Sequence, residues 1–251
     1  MKITAFNGSP KGEAGNTNVM VTAFLEGAAT AGAGVENIFL AHKEINHCKA
    51  CLSCINSGQR RCVIEDDMGD LVSKFLESDI VVLATPLYID NIAGIMKVFM
   101  DRLFCIGNPL YDSEKDENGE YRHSRSKYFK NGIAPKIVFI SNSGMPYRSS
   151  FQAISLWIKR FTNNFHMELL AEIYAPEGVL LTAGVKELEP AITGYKGLLN
   201  KAGQEMVMHM KLSGETQGLL ENNFIPAEFY VQEMNKYADQ VLGRSQANAQ
   251  S

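Results

Sequence analysis

The run Ile80-Val81-Val82-Leu83-Ala84 contains no polar side chain. A strand with one wet face alternates apolar and polar residues, so an unbroken aliphatic run marks a strand covered on both faces. Ile137-Val138-Phe139-Ile140 repeats the pattern, and residues 3–6, 35–40 and 169–174 supply three further candidate strands. Helical periodicity fills the gaps. Asn16 or Thr17 is suited to cap a helix presenting Val19, Ala23 and Phe24, and Asp66-Asp67 opens another through Met68, Leu71, Val72, Phe75 and Leu76, with its acids at the positive end. Residues 91–104 and 151–165 read as two more helices. Strands alternating with helices of this length imply a parallel, doubly wound α/β sheet, and the chain has no internal repeat.

Two stretches depart from that rhythm. Residues 107–132 are polar and charged where a few connecting residues would suffice, and their Asn118-Gly119 pair signals a hairpin turn. Beyond residue 174 the pattern is mainly helical, over residues 188–212 and 226–242. The expected organisation is a main domain over 1–185, carrying a cysteine segment at 48–62 and an inserted hairpin or lid at 107–132. A helical extension over 186–242 and a frayed tail over 243–251 follow.

Composition narrows the function. The 251 residues are 45% hydrophobic and 21% charged, an ordinary globular balance, and a net charge of -4 argues against nucleic-acid binding. The first residues meet Gly8 and Pro10 before a signal-like apolar run develops, and no run reaches membrane-spanning length. A soluble protein of the reducing cytoplasm is expected, where clustered cysteines serve as ligands or redox groups more readily than as disulfides.

The end of the first strand carries Gly8-Ser9-Pro10-Lys11, then Gly15-Asn16-Thr17-Asn18 at a helix start. Glycines admit close backbone approach, helix-start amides point outward beside the positive dipole end, and Ser9, Asn16, Thr17 and Lys11 add donors or charge. This is anion-binding chemistry. The spacing matches neither Gly-x-x-x-x-Gly-Lys-Ser/Thr nor Gly-x-Gly-x-x-Gly, so triphosphate hydrolysis and ordinary dinucleotide binding lose ground. The bland alternative is a Gly-rich turn with a routine cap.

Four of the five cysteines lie within fifteen positions, as Cys48-x2-Cys51-x2-Cys54-x7-Cys62. Soft thiolates suit an iron–sulfur cluster or zinc, and unligated redox-active thiols are the third reading; a structural disulfide ranks last. Structural zinc favours two Cys pairs joined by a longer arm, and Val63 stands where the bacterial ferredoxin run has proline. Cys105 reads as a small buried hydrophobe, His42 and His47 as exposed polar residues, and Lys97, Asp101 and Arg102 as a solvated helix face with local ion pairs.

Gly8-Ser9-Pro10-Lys11 with Gly15-Asn16-Thr17 resembles the phosphate loop of the NAD(P)H-dependent FMN reductase branch of flavodoxin-like proteins. Thr85-Pro86-Leu87-Tyr88 with Met96-Lys97-Val98-Phe99-Met100-Asp101-Arg102, and Ser141-Asn142-Ser143-Gly144, resemble that branch's flavin-flanking loops, the likeness extending over about residues 1–175. The segment from Cys48 through Cys62-Val63-Ile64-Glu65-Asp66-Asp67-Met68 is similar to that of iron–sulfur flavoproteins. The resemblance implies a flavodoxin-like, five-stranded parallel sheet with helices on both faces. It implies FMN held by Ser9, Lys11, Asn16, Thr17, Asn18, Pro86, Leu87, Tyr88, Ile89, Ser141, Asn142 and Gly144, and a [4Fe–4S] cluster on Cys48, Cys51, Cys54 and Cys62.

With one phosphate site and no second fingerprint, FMN is expected over FAD. The expected activity moves electrons between NAD(P)H or a ferredoxin and an acceptor, with no side chain acting as a catalyst. A cluster-free FMN or quinone reductase, a non-enzymatic electron carrier and a zinc-stabilised binding module are the alternatives. A homodimer or homotetramer is expected, with the 107–132 excursion packed over a flavin site, its own or a neighbouring subunit's.

Overall fold

The computed structural model describes residues 1–57, 61–115, 119–129 and 132–243; Asn118 and the tail residues 244–251 lie outside the described residues. Its strands are β1 (Lys2–Asn7), β2 (Gly34–Phe39), β3 (Ile80–Tyr88), β4 (Asn91–Ile92), β5 (Tyr111–Lys115), β6 (Tyr121–His123), β7 (Lys136–Asn142) and β8 (Leu169–Ala175). Its helices are α1 (Asn16–Thr30), α2 (Ser53–Asn56), α3 (Met68–Glu77), α4 (Gly94–Arg102), α5 (Gln152–Asn164), α6 (Glu189–His209), α7 (Gly214–Leu220) and α8 (Ala227–Val241).

Five parallel strands stand in the order β2-β1-β3-β7-β8, the doubly wound order that reverses beside the first strand. The short β4 folds back antiparallel onto β3 as a sixth member. This corrects the start of the helix expected from residue 91. Ile89 and Asp90, at φ 46° and 54°, make a two-residue hairpin turn, so Asn91 and Ile92 pair with Tyr88 and Leu87 before α4 begins.

Alternate residues of the central strands face two cores. Ile3, Val82, Val138 and Ile140 pack with Met20, Phe24, Leu199 and Met206 on the α1/α6 side. Phe6, Val81, Leu83 and Phe139 meet Leu71, Phe75, Phe99 and Ile154 on the α3/α4/α5 side, with Phe6 stacked on Phe99 at 4.7 Å. The first helix of the C-terminal extension is therefore part of the main core. α1 and α6 touch backbone to backbone through glycines: a Cβ on Gly27 would stand 1.8 Å from the Asn200 carbonyl oxygen, and one on Gly203 1.9 Å from that of Phe24.

The excursion forms the β5–β6 hairpin. Arg122 donates to Asn163 at 2.9 Å, Arg160 pairs with Glu120 at 3.4 Å, and the His166 ring nitrogen reaches the His123 carbonyl. Through these bonds the hairpin lies on the C-terminal end of α5. With Ile55, Phe104 and Phe165 it lines an open pocket of about 310 Å³. Among the described residues no helix is long and apolar enough to cross a membrane.

Candidate functional site

The carboxyl ends of β1, β3 and β7 meet around the start of α1. A cleft of about 170 Å³ there is lined by Ser9, Lys11, Asn16 and Thr17, by Pro86, Leu87 and Tyr88, and by Asn142 and Gly144. Gly8 donates its amide to the Ala84 carbonyl at 2.7 Å, hooking the first loop to β3, while the Asn7 side chain accepts the Ser9 amide and the Ser9 hydroxyl accepts the Lys11 amide. Gly15 precedes α1 and supplies no capping side chain; the Asn18 amide donates to its carbonyl at 2.9 Å, which leaves the Asn16 and Thr17 amides for a ligand. A Cβ there would stand 2.4 Å from the Ser9 hydroxyl, a close approach that only glycine permits. Ser9 and Thr17 are 3% and 1% exposed, so their hydroxyls are held by the fold; Lys11 is exposed. The result is a cradle of neutral donors at a positive helix end, suited to a phosphate.

Three residues expected at the cofactor stand outside the cleft walls, for local reasons. Asn18 turns toward β2, bonding Asn37, Thr22 and the Glu13 carbonyl. Ser141 is fully buried within β7, its hydroxyl without a partner. Ile89 sits on the turn at 95% exposure. Sequence reasoning left out four walls, of which Pro10 and Gly15 lie inside the phosphate-loop motif. Ser143 follows Asn142 in the motif itself, and Val179 comes from the loop after β8, where no recognisable signal marks it. That loop is set by Glu177, a buried left-handed residue whose carboxylate accepts from the Asn223 side chain and the Phe224 and Ile225 amides. Burial raises the Glu177 carboxyl above its usual range against those donors.

The cysteine segment leaves the same sheet edge after β2. Ala50 and Leu52 flank Cys51 with φ of 50° and 57°, a tight winding uncommon for side-chain-bearing residues. Cys48 and Cys51 are exposed, Cys54 and Cys62 half-buried. Hydrogen bonds from Ser53 lower the Cys51 thiol. Burial, then Cys62, Cys48 and Cys51 in turn, raise Cys54. Among the described residues no three His, Cys, Asp or Glu side chains converge on a point that could hold a metal ion. The donor set itself, four soft thiols on a short wound loop, suits an iron–sulfur cluster. Cys62 also borders a cleft of about 940 Å³ together with Asp66, Arg102 and Cys105.

Lys97 and Asp101 form the expected exposed helix pair, at 2.6 Å. Arg102 does not belong with them: it is 2% exposed and bonded to Asp66. Cys105 is buried as expected, and burial pushes its thiol up to about 11. His42 leans toward Glu13, on the phosphate-loop side.

The family model for NADPH-dependent FMN reductases matches residues 1–125. Over those residues the chain is similar to the NADPH-dependent FMN reductase family. Curated relatives in this flavodoxin-like group include an iron–sulfur flavoprotein of Archaeoglobus fulgidus, 38% identical over 108 residues, covering 43% of this chain and 48% of the relative. Another is the iron–sulfur flavoprotein of Methanosarcina thermophila, 37% identical over 103 residues, covering 41% and 52%. The chain thus spans about half the length of the curated relatives it matches. Among solved structures it is similar to an FMN-dependent NADH-azoreductase from Bacillus anthracis in complex with FMN, with a TM-score of 0.59, 17% identity and coverage of 82% of this chain and 99% of that one. A likeness in fold extends to an NAD(P)H:quinone oxidoreductase from Methanothermobacter marburgensis, with a TM-score of 0.53, 13% identity and coverage of 82% and 96%.

Proposed function

We propose that this chain is an FMN-dependent oxidoreductase that takes electrons from NAD(P)H or a ferredoxin and delivers them to an acceptor, working in the cytoplasm as a homodimer or homotetramer. The observation that carries this reading is the meeting of three strand-end loops around one uncapped helix start. The helix-start amides, the Ser9 and Thr17 hydroxyls, Asn16 and Lys11 would receive the phosphate. Pro86, Leu87 and Tyr88 offer an apolar wall, and Asn142 and Gly144 polar backbone and side-chain contacts. FMN, when bound, supplies a ring that accepts a hydride or single electrons and returns electrons one at a time. Tyr88, Ile89, Met145 and Tyr147 stand exposed on two of those loops, apolar surface that suits a neighbouring subunit or a flat substrate.

The finer reading adds a [4Fe–4S] cluster on Cys48, Cys51, Cys54 and Cys62, supported by the spacing of the four cysteines and by the iron–sulfur flavoproteins among the relatives. A cluster, when bound, supplies one-electron transfer. The second reading, a flavin or quinone reductase without a cluster, is favoured by the open placement of Cys48 and Cys51.

Flavin and iron analysis of anaerobically prepared protein, followed by rapid mixing with NADH and NADPH, tests these readings. One FMN and about four irons per chain, with fast bleaching of the flavin, is the expected result. No flavin bound sinks the proposal. Flavin without reconstitutable iron leaves the second reading, slow bleaching points to a carrier, and colourless protein containing zinc points to a binding module.

A further inference from the structure

Asn46 lies two positions before Cys48, and Asp66 four positions after Cys62. A single side chain from elsewhere joins them. Arg102, the last residue of α4, donates through Nη1 to the Asn46 carbonyl at 2.7 Å and to Asp66 Oδ2 at 2.5 Å, and through Nη2 to Asp66 Oδ1 at 3.0 Å. Asp66 Oδ2 also accepts the Asn46 backbone amide at 2.9 Å. One step further out, Glu44 and Asp67 exchange two more bonds, at 2.8 and 3.0 Å. The Arg102 and Asp66 side chains are 1% and 0% exposed, and Arg102 Nε is buried without a hydrogen-bond partner. Burial alone would lower the guanidinium's pKa; hydrogen bonding to Asp66 raises it instead.

A buried ion pair is no more stabilising than apolar packing of the same volume, so its value here lies in the geometry it fixes. Only a planar fork can hold a carboxylate through two parallel bonds while also donating to a carbonyl; a lysine ammonium cannot reproduce that set.

We propose that Arg102 is a positioning residue for the cysteine segment. Its guanidinium staples the two ends of the thiol-bearing loop. The staple does not rest on the cluster reading above.

Three proteins test this: wild type, Arg102→Lys, and Arg102→Met combined with Asp66→Asn, which leaves no unpaired buried charge. Each is reconstituted anaerobically with iron and sulfide, its FMN retained. The readouts are the cluster's midpoint potential, from an electron paramagnetic resonance titration, and the rate of iron release to a chelator. Both variants leave the net charge of the pair unchanged, so both are expected to keep the wild-type potential yet release iron about 10-fold faster, as when a partner of a metal ligand is lost. Wild-type iron retention in both variants overturns the staple. If the double variant does not bind FMN, Arg102→Lys alone decides the staple through iron release. If wild type takes up no iron, the cluster reading fails by itself. The staple is then judged on iron-free protein, where hydrogen exchange over residues 47–57 should quicken in the variants at unchanged FMN affinity; unchanged exchange refutes it.

Discussion

Asn142 donates its side-chain amide to the Thr17 hydroxyl at 2.8 Å, joining the end of β7 to the first turn of α1 across 125 positions of sequence. The bond occupies a lone pair on the Thr17 oxygen and leaves its O–H free to donate into the cleft.

Thr17→Val keeps the shape of the side chain and removes that donor. A hydrogen bond to a charged group contributes about 1.5–3 kcal/mol, so FMN affinity is expected to fall at least about tenfold. Asn142→Ala should weaken binding in the same direction, because the hydroxyl loses its orienting partner. Fluorescence titration of the apoprotein measures both. Wild-type affinity in Thr17→Val removes Thr17 from the phosphate site.

Cys51→Ala is expected to prevent stable iron incorporation while leaving FMN bound, since the phosphate loop and the Pro86-Leu87-Tyr88 loop are separate elements. Iron and flavin contents measured on one sample decide it. Loss of flavin together with iron would mean that the two sites fold as one.

Gly27→Ala places a methyl group against the α6 backbone, where no side-chain rotation relieves it. Overpacking of this kind costs about 1–3 kcal/mol, and the midpoint of urea unfolding should fall accordingly. A midpoint equal to wild type would show that α1 and α6 separate freely.

Glu205 joins α6 to α7 by accepting from the Ser213 amide, the Ser213 hydroxyl and the Thr216 hydroxyl. Burial works against its charge, but these donors and Lys201 hold its carboxyl below the usual range. A depressed folded-state pKa gives stability that is fully present above the unfolded value and is lost as pH falls through the folded one. Glu205→Gln is therefore expected to be less stable than wild type at pH 7, with the gap closing below about pH 4, under the ordinary glutamate pKa. Unfolding curves across that range are the check, and a gap independent of pH contradicts the charge argument.

Replacing residues 110–124 with a short Gly/Ser link opens further the pocket that the β5–β6 hairpin lines together with Phe104 and the half-buried Phe165. Binding of an apolar dye should rise. Flavin emission and scattering mass report whether the hairpin also reaches a second subunit's flavin: both should change if it does.

The α/β alternation was legible because buried strands such as Ile80-Val81-Val82-Leu83-Ala84 advertise two covered faces in their composition. The phosphate cradle was legible because its residues are consecutive and follow a strand. Arg102 was not: beside Asp101 and five positions after Lys97 it reads as part of a charged helix face, and its partner lies 36 positions away. Val179 escaped for the same reason, since only the fold of the loop after β8, with Gly178 packed against Asn142, brings it to the cleft. Asn91 misled through helix periodicity, because a two-residue turn with Ile89 at positive φ has no glycine to announce it.

The pairing of Glu44 with Asp67 brings the chain back almost to where it left the scaffold. Everything between is a cassette whose ends are already matched. Because closure entropy grows only slowly with length, about 0.6 kcal/mol per doubling, such a cassette can be lengthened, shortened or replaced without rebuilding the sheet beneath it. One α/β scaffold thus accommodates a thiol-bearing loop or a plain one through a single insertion or deletion.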